Sequence, residues 1–154
     1  MSSQFEPVKA RRAFPCFDEP AMKATFEIQV KHDDSMRAIS NMPVIASQSV
    51  GSDGFYNWIE TKFNKTLKMS TYIVALIIAD YNCIENSLMS PLTGNQINSS
   101  SCARPNAINQ LDLAANASVE LLGFFEKYYN ISYPFPKLDH FATPDFAYGR
   151  KKFI

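Results

Sequence analysis

Asp18 and Glu19 are adjacent carboxylates in Phe14-Pro15-Cys16-Phe17-Asp18-Glu19-Pro20, a pairing that could in principle work as general acid and base. Neighbours in such a loop point in different directions, and neither histidine is close in sequence, so the expected role is structural. Arg11 and Arg12 lie a short way upstream and can form a charge-assisted pair that stiffens the loop. His32 and His140 are the two histidines. A catalytic zinc takes three protein ligands, often two His four residues apart on one helix. Two histidines so far apart do not make that pattern, so no metal ligand and no catalytic residue is assigned within this chain. His32, followed by Asp33 and Asp34, is expected in an exposed turn. There is no G-x-S-x-G, no phosphate-binding loop and no dinucleotide fingerprint. Gln4 and Glu6, an amide and a carboxylate next to Pro7, read by themselves as solvated polar residues.

The elements that would position these residues divide the chain by character. Thr25 to Val30 alternates, with Phe26, Ile28 and Val30 on one side, and predicts a half-buried strand. Asn41-Met42-Pro43 and Gly51-Ser52-Asp53-Gly54 are turn signals, and Phe55 to Phe63 reads as a further strand. Tyr72 to Ile78 is continuously apolar and predicts a central strand covered on both faces. After Ser101 the pattern becomes helical. Ile108, Leu111, Ala115, Val119, Leu122 and Phe125 recur at spacings of three and four, from a first-turn Pro105 to about Tyr129. Asn130, Pro134 and Pro136 stop the helix, and Leu138 to Thr143 predicts a short strand. The fold class is therefore mainly β with a C-terminal α segment, with a boundary near Arg104 and Pro105.

Composition narrows the partners. The 154 residues are 46% hydrophobic with 12 Phe and 7 Tyr, enough for a packed core. Lys plus Arg and Asp plus Glu both total 15, so no net field recruits nucleic acid or anionic lipid. The apolar run Tyr72 to Ala79 is far shorter than the roughly 20 residues of a spanning helix, so no membrane segment is expected. Cys16, Cys83 and Cys102 show no C-x-x-C spacing, and an odd count leaves at least one thiol free, so neither a zinc knuckle nor a disulfide scaffold is indicated. Sequons begin at Asn64, Asn98, Asn116 and Asn130 and point mildly to a lumenal or extracellular glycoprotein, the other reading being chance in an Asn-rich chain.

Several blocks in fixed order carry a resemblance. Gln4-Phe5-Glu6-Pro7, Ala10-Arg11-Arg12-Ala13-Phe14-Pro15-Cys16-Phe17-Asp18-Glu19-Pro20, Ala38-Ile39-Ser40-Asn41-Met42-Pro43, Lys68-Met69-Ser70-Thr71-Tyr72 and Tyr133-Pro134-Phe135-Pro136-Lys137 resemble the zinc aminopeptidases of the aminopeptidase N type, the gluzincin family. Ala103-Arg104-Pro105 and Pro144-Asp145-Phe146 continue the likeness, which runs from Gln4 to Gly149. The resemblance implies that residues 1–104 are the later part of an N-terminal β-sandwich domain. Residues 105–149 would be the first helix and strand of a thermolysin-like catalytic domain, and 150–154 a tail unlike the family. It also implies that Glu6 binds the free α-amino group of a peptide substrate, with Gln4 beside it.

The family continues into G-A-M-E-N and H-E-x-x-H beyond the matching stretch, so zinc is expected in the full-length family and none in this chain. The expectation is a fragment or truncated isoform that keeps the grip on peptide amino termini, binds them weakly and is inactive alone. The alternatives are a non-catalytic module that pairs with a full-length homologue, or an unstable product with no role. As written the chain carries no signal or anchor and reads as cytoplasmic, whereas the family implies the plasma membrane, the extracellular space or the endoplasmic reticulum lumen.

Overall fold

A computed structural model describes residues 1–143, which fall into two compact units, 1–79 and from Asp80 onward. The expected Pro144-Asp145-Phe146 block and the 150–154 tail lie outside the described residues. Among the described residues the architecture is mainly β with one C-terminal α-helix, as the sequence pattern implies.

In the first unit β1 (Gln29–Asp33), β3 (Val44–Ser52) and β4 (Asn57–Phe63) form an antiparallel sheet in the order β1-β4-β3. The strand expected at Thr25 to Val30 begins at Gln29. Residues 24–28 still run beside the chain that follows β4, but the pairing is irregular. The Thr66 hydroxyl takes the Phe26 amide at 2.9 Å, a place a ladder carbonyl would otherwise hold. The β3–β4 turn is built by Asp53, whose Oδ1 accepts the Phe55 and Tyr56 amides at 3.0 and 2.8 Å. Gly54, with φ of 88°, supplies the left-handed step. Trp58 Nε1 donates to Asp53 Oδ2, and Lys31 lies 4.9 Å above the Trp58 ring. β3 is an edge strand, and all nine of its residues are exposed.

The central strand expected over Tyr72 to Ile78 shortens to β5 (Leu76–Ala79). Ser70 donates to Pro20 O and Thr71 to Asp18 Oδ1, bonds that draw Thr71–Ile73 into a 3-10 turn instead. β5 lies between β2 (Arg37–Ser40) and the N-terminal residues, which reach it through the Ser2–Ile77 bridge. Buried Asn41 clamps this region, accepting the Ala75 amide and donating to Ile73 O. Ala38, Met42, Phe63, Met69, Val74, Ala75 and Ile77 make the core.

In the second unit β6 (Asn82–Met89) pairs antiparallel with β7 (Gln96–Ala103) through a turn in which Gly94 has φ of 72°. β7 then leads into a 3-10 segment, Pro105–Gln110, and α1 (Asp112–Tyr129). The chain returns as β8 (Lys137–Phe141), parallel to β7. A parallel return needs such a crossover, which is why a helix stands between these strands. The boundary expected at Arg104 and Pro105 thus falls inside one compact unit, because the β6–β7 hairpin is the surface on which the helix packs. The helix keeps the predicted span, with its first turns tightened to 3-10. Asn130 closes it in the left-handed conformation, φ 53°.

Leu111, Ala115 and Ser118 are buried against the sheet, as the three-and-four spacing requires. Phe125 is not; it is exposed, and Glu126 is buried at 2% instead, accepting the Tyr133 amide through Oε1. Ser118 and Ser99 hydroxyls meet at 3.0 Å, and Asn86 Nδ2 donates to Ala115 O. On the opposite sheet face Cys83 and Cys102, directly paired across β6 and β7, form a disulfide with Cα atoms 4.1 Å apart. The sequence reading did not indicate this bond.

Candidate functional site

Gln4, Phe5 and Glu6 form the link between the first bridge to β5 and the 3-10 turn Ala10–Arg12. The Lys9 amide donates to Phe5 O at 2.8 Å, and the Glu6–Pro7 peptide is cis. Phe5 meets Phe14 edge to face at 6.0 Å, and Phe14 meets Phe26 in the same way at 5.9 Å. This aromatic ladder pins the segment onto the unit's core, because such contacts add to the apolar area buried. Gln4 and Glu6, on either side of the anchored Phe5, are both half-buried. Gln4 Oε1 is buried and has no hydrogen-bond partner among the described residues.

The loop after the turn is held by Asp18, 5% exposed. Arg11 donates to its Oδ2 from both the backbone amide and Nε at 3.2 Å, and from Nη2 to its carbonyl. Thr71 Oγ1 donates to Oδ1 at 2.7 Å. The Thr71 hydroxyl, followed by the Arg11 amide and guanidinium, holds the Asp18 carboxyl below the usual carboxylate range against the opposing effect of burial. The pairing expected of Arg11 and Asp18 is therefore present, and it is structural. Glu19 is exposed beside it. Arg11, Cys16, Phe17, Asp18, Glu19 and Met22 line an open concavity of about 290 Å³, which includes neither Gln4 nor Glu6. Cys16 is a free thiol; burial, then the Asp18 carboxylate, raises it above its ordinary 9.0, so it stays protonated at neutral pH and is a poor nucleophile.

His32 corrects an expectation. It is 6% exposed within β1 rather than in an open turn. Nδ1 donates to Asp33 O at 2.8 Å and Nε2 lies 2.9 Å from Thr61 Oγ1, so both ring nitrogens are held by hydrogen bonds inside the protein. Its neighbours Asp33 and Asp34 suggested a turn; period-two alternation continuing past Val30 was the signal that places it inward. His140 sits in β8, in the other compact unit. Among the described residues no cluster of three His, Cys, Asp or Glu could hold a metal ion, and both nitrogens of His32 are engaged within the protein. The residues described do not fit a zinc centre. No helix among them is long and apolar enough to cross a membrane.

Residues 1–73 match the Peptidase M1 N-terminal domain. Over 148 residues the chain is 49% identical to Endoplasmic reticulum aminopeptidase 1 of Mus musculus, an alignment covering 96% of this chain and 15% of the relative. It is 43% identical to Endoplasmic reticulum aminopeptidase 2 of Homo sapiens over 147 residues, 96% of this chain and 14% of that protein. Aminopeptidase N of Bos taurus is 41% identical over 150 residues, with 96% and 15% covered. The chain belongs to the M1 aminopeptidase family. It spans about 15% of the length of the curated relatives it matches.

Proposed function

We propose that this chain is the part of an M1 aminopeptidase that receives the free amino terminus of a peptide, with Glu6 accepting the α-ammonium group and Gln4 beside it. The observation that carries the reading is the buried, unpartnered Gln4 carbonyl oxygen on the segment that also bears Glu6. An orphaned buried acceptor costs about 1–3 kcal/mol, a cost that an ammonium donor would remove. A carboxylate next to it adds a charge-assisted bond and rejects peptides whose amino group is blocked. In this reading the whole protein releases amino-terminal residues from peptides with zinc. Residues 1–104 serve its β-domain and 105–149 the start of its catalytic domain. The 154 residues bind peptide amino termini weakly and do not cleave them.

The Cys83–Cys102 disulfide favours an oxidising compartment, the endoplasmic reticulum lumen or the cell surface, and with it a glycoprotein. A second reading, a non-catalytic module that pairs with a full-length homologue, is favoured by the bare edge of β3.

The test uses the purified chain. A short peptide with a free amino terminus should bind at millimolar affinity and its N-acetylated form should not, and Glu6→Gln should abolish the difference. Equal binding of both peptides refutes the assignment of Glu6. Turnover of an aminoacyl chromogenic substrate with added zinc, dependent on Glu6, refutes the inactivity.

A further inference from the structure

Four exposed rings stand together at the end of α1. Phe124, Phe125, Tyr128 and Tyr129 are between 45% and 69% exposed, and Ile131 beyond them is 69% exposed. They form one plate: Phe124 stacks on Tyr128 at 5.7 Å and Phe125 on Tyr129 at 5.9 Å. Tyr128 meets Tyr129 edge to face at 5.0 Å. The stacked pairs follow from the four-residue spacing, which brings side chains to one helix face. A contiguous apolar patch of this kind on a protein surface marks a place with an occupant.

Next to the plate, at the helix end, is the sequon Asn130-Ile131-Ser132. Asn130 is exposed and left-handed, and the Ile131 amide closes back on Glu126 O at 3.2 Å, so the sequon begins in a tight turn. No hydrogen bond engages the Ser132 hydroxyl among the described residues. The other sequons differ. Thr66 hydroxyl donates to Leu67 O, Ser100 to Asp139, and Ser118 to Ala115 O, so each hydroxyl is turned into the protein. A left-handed cap accounts for Asn130 alone; it does not account for an unengaged Ser132 and a bare ring plate at the same place.

We propose that Asn130 carries an N-linked oligosaccharide whose first sugar lies on the Phe125–Tyr129 side of this plate. Transfer joins Asn130 Nδ2 to the anomeric carbon of an oligosaccharide carried on a polyprenyl diphosphate. The carbon–oxygen bond to the diphosphate breaks, the diphosphate departs, and Nδ2 gives up one proton. The C–H face of a pyranose is apolar and fits the electron-rich face of a ring, so one occupant answers both the sequon and the plate. The inference rests on the lumenal reading above.

The full chain is secreted from mammalian cells behind a cleavable leader, treated with peptide N-glycosidase in heavy-oxygen water and mapped by mass spectrometry. Asn130 is expected as heavy aspartate in most molecules, and Ser132→Ala removes that signal. Molecules that hold the Cys83–Cys102 disulfide but an unmodified Asn130 overturn the proposal. Removing the glycan should lower the melting temperature of the second unit by roughly 4 °C, and by less than half as much in Phe125→Ala with Tyr129→Ala. An equal shift in both overturns the seat on the rings. Because the leader imposes the compartment, failure here counts against Asn130 alone. The lumenal reading falls separately if the natural protein holds Cys83 and Cys102 reduced.

Discussion

Removing the Cys83–Cys102 bond should cost the second unit a large part of its stability while leaving the first unaltered. The two cysteines are 19 residues apart, and they close the β6–β7 hairpin on which α1 packs. Chain-entropy bookkeeping for a loop of that size gives about 3 kcal/mol. In a unit of roughly 60–100 residues each kcal/mol moves the melting temperature by about 4–8 °C, so the expected drop is roughly 12–24 °C. Two variants separate the causes: reduced wild type loses the bond alone, whereas Cys83→Ala with Cys102→Ala also empties volume around the fully buried Cys102. The readouts are independent. Ellipticity at 222 nm follows α1, the one α-helix among the described residues, and fluorescence follows Trp58, the one tryptophan, in the first unit. A fall of less than about 4 °C in the helix signal would refute the entropic reasoning, and an equal fall in the Trp58 signal would refute its confinement to one unit.

His32→Leu removes the ring's bonds to the Thr61 hydroxyl, which keeps only its 3.3 Å contact with Ser47 Oγ, and to the Asp33 carbonyl, and should destabilise the first unit by about 1–3 kcal/mol, read as a lower urea midpoint of Trp58 fluorescence. An unchanged midpoint would contradict the inward placement of the ring. Gly123→Ala should gain about 1 kcal/mol, because an added Cβ meets the Leu88 methyls at 3.5 Å, an ordinary contact, in mid-helix; a loss would show the helix sits closer to β6. Tyr133, pushed up to about 12 mainly by burial and then by Asp139, should ionise only as the pH approaches about 12 in a 295 nm titration. Its folded value lies above its ordinary 10, so its stabilising contribution is complete below pH 10 and is lost as pH rises to about 12. Ionisation of Tyr133 at its ordinary 10 would refute the burial of the phenol.

Much of this was legible in the residues. Leu111 and Ala115 declared the buried helix face by spacing alone, and Asn130 declared its end. Arg11 and Arg12 could be set against Asp18 and Glu19 because opposite charges lie a short way apart in one loop, and Arg11 with Asp18 is the pair that forms. What escaped depended on partners distant in sequence. The disulfide requires the register of β6 on β7, and two polar strands carry no alternation from which that register can be read. Phe125 continued the apolar period, yet the Tyr133 amide needed an acceptor, so Glu126 turned inward in its place. Tyr72 to Ile78 looked like one strand because its apolar run hides the hydroxyls of Ser70 and Thr71 that bend its start. For the candidate site, Gln4 and Glu6 were indistinguishable from solvated residues until the family blocks gave them a role. Phe5 gave no such warning; its packing on Phe14 is a tertiary fact.

β3 has a consequence for anyone handling the protein. From Val44 to Ser52 it carries no charge, and no Lys or Pro blunts its outer rim. In concentrated solution such a rim can zip to another molecule's backbone, so yield on refolding should fall as concentration rises. A lysine at Gln48 would act as a gatekeeper there.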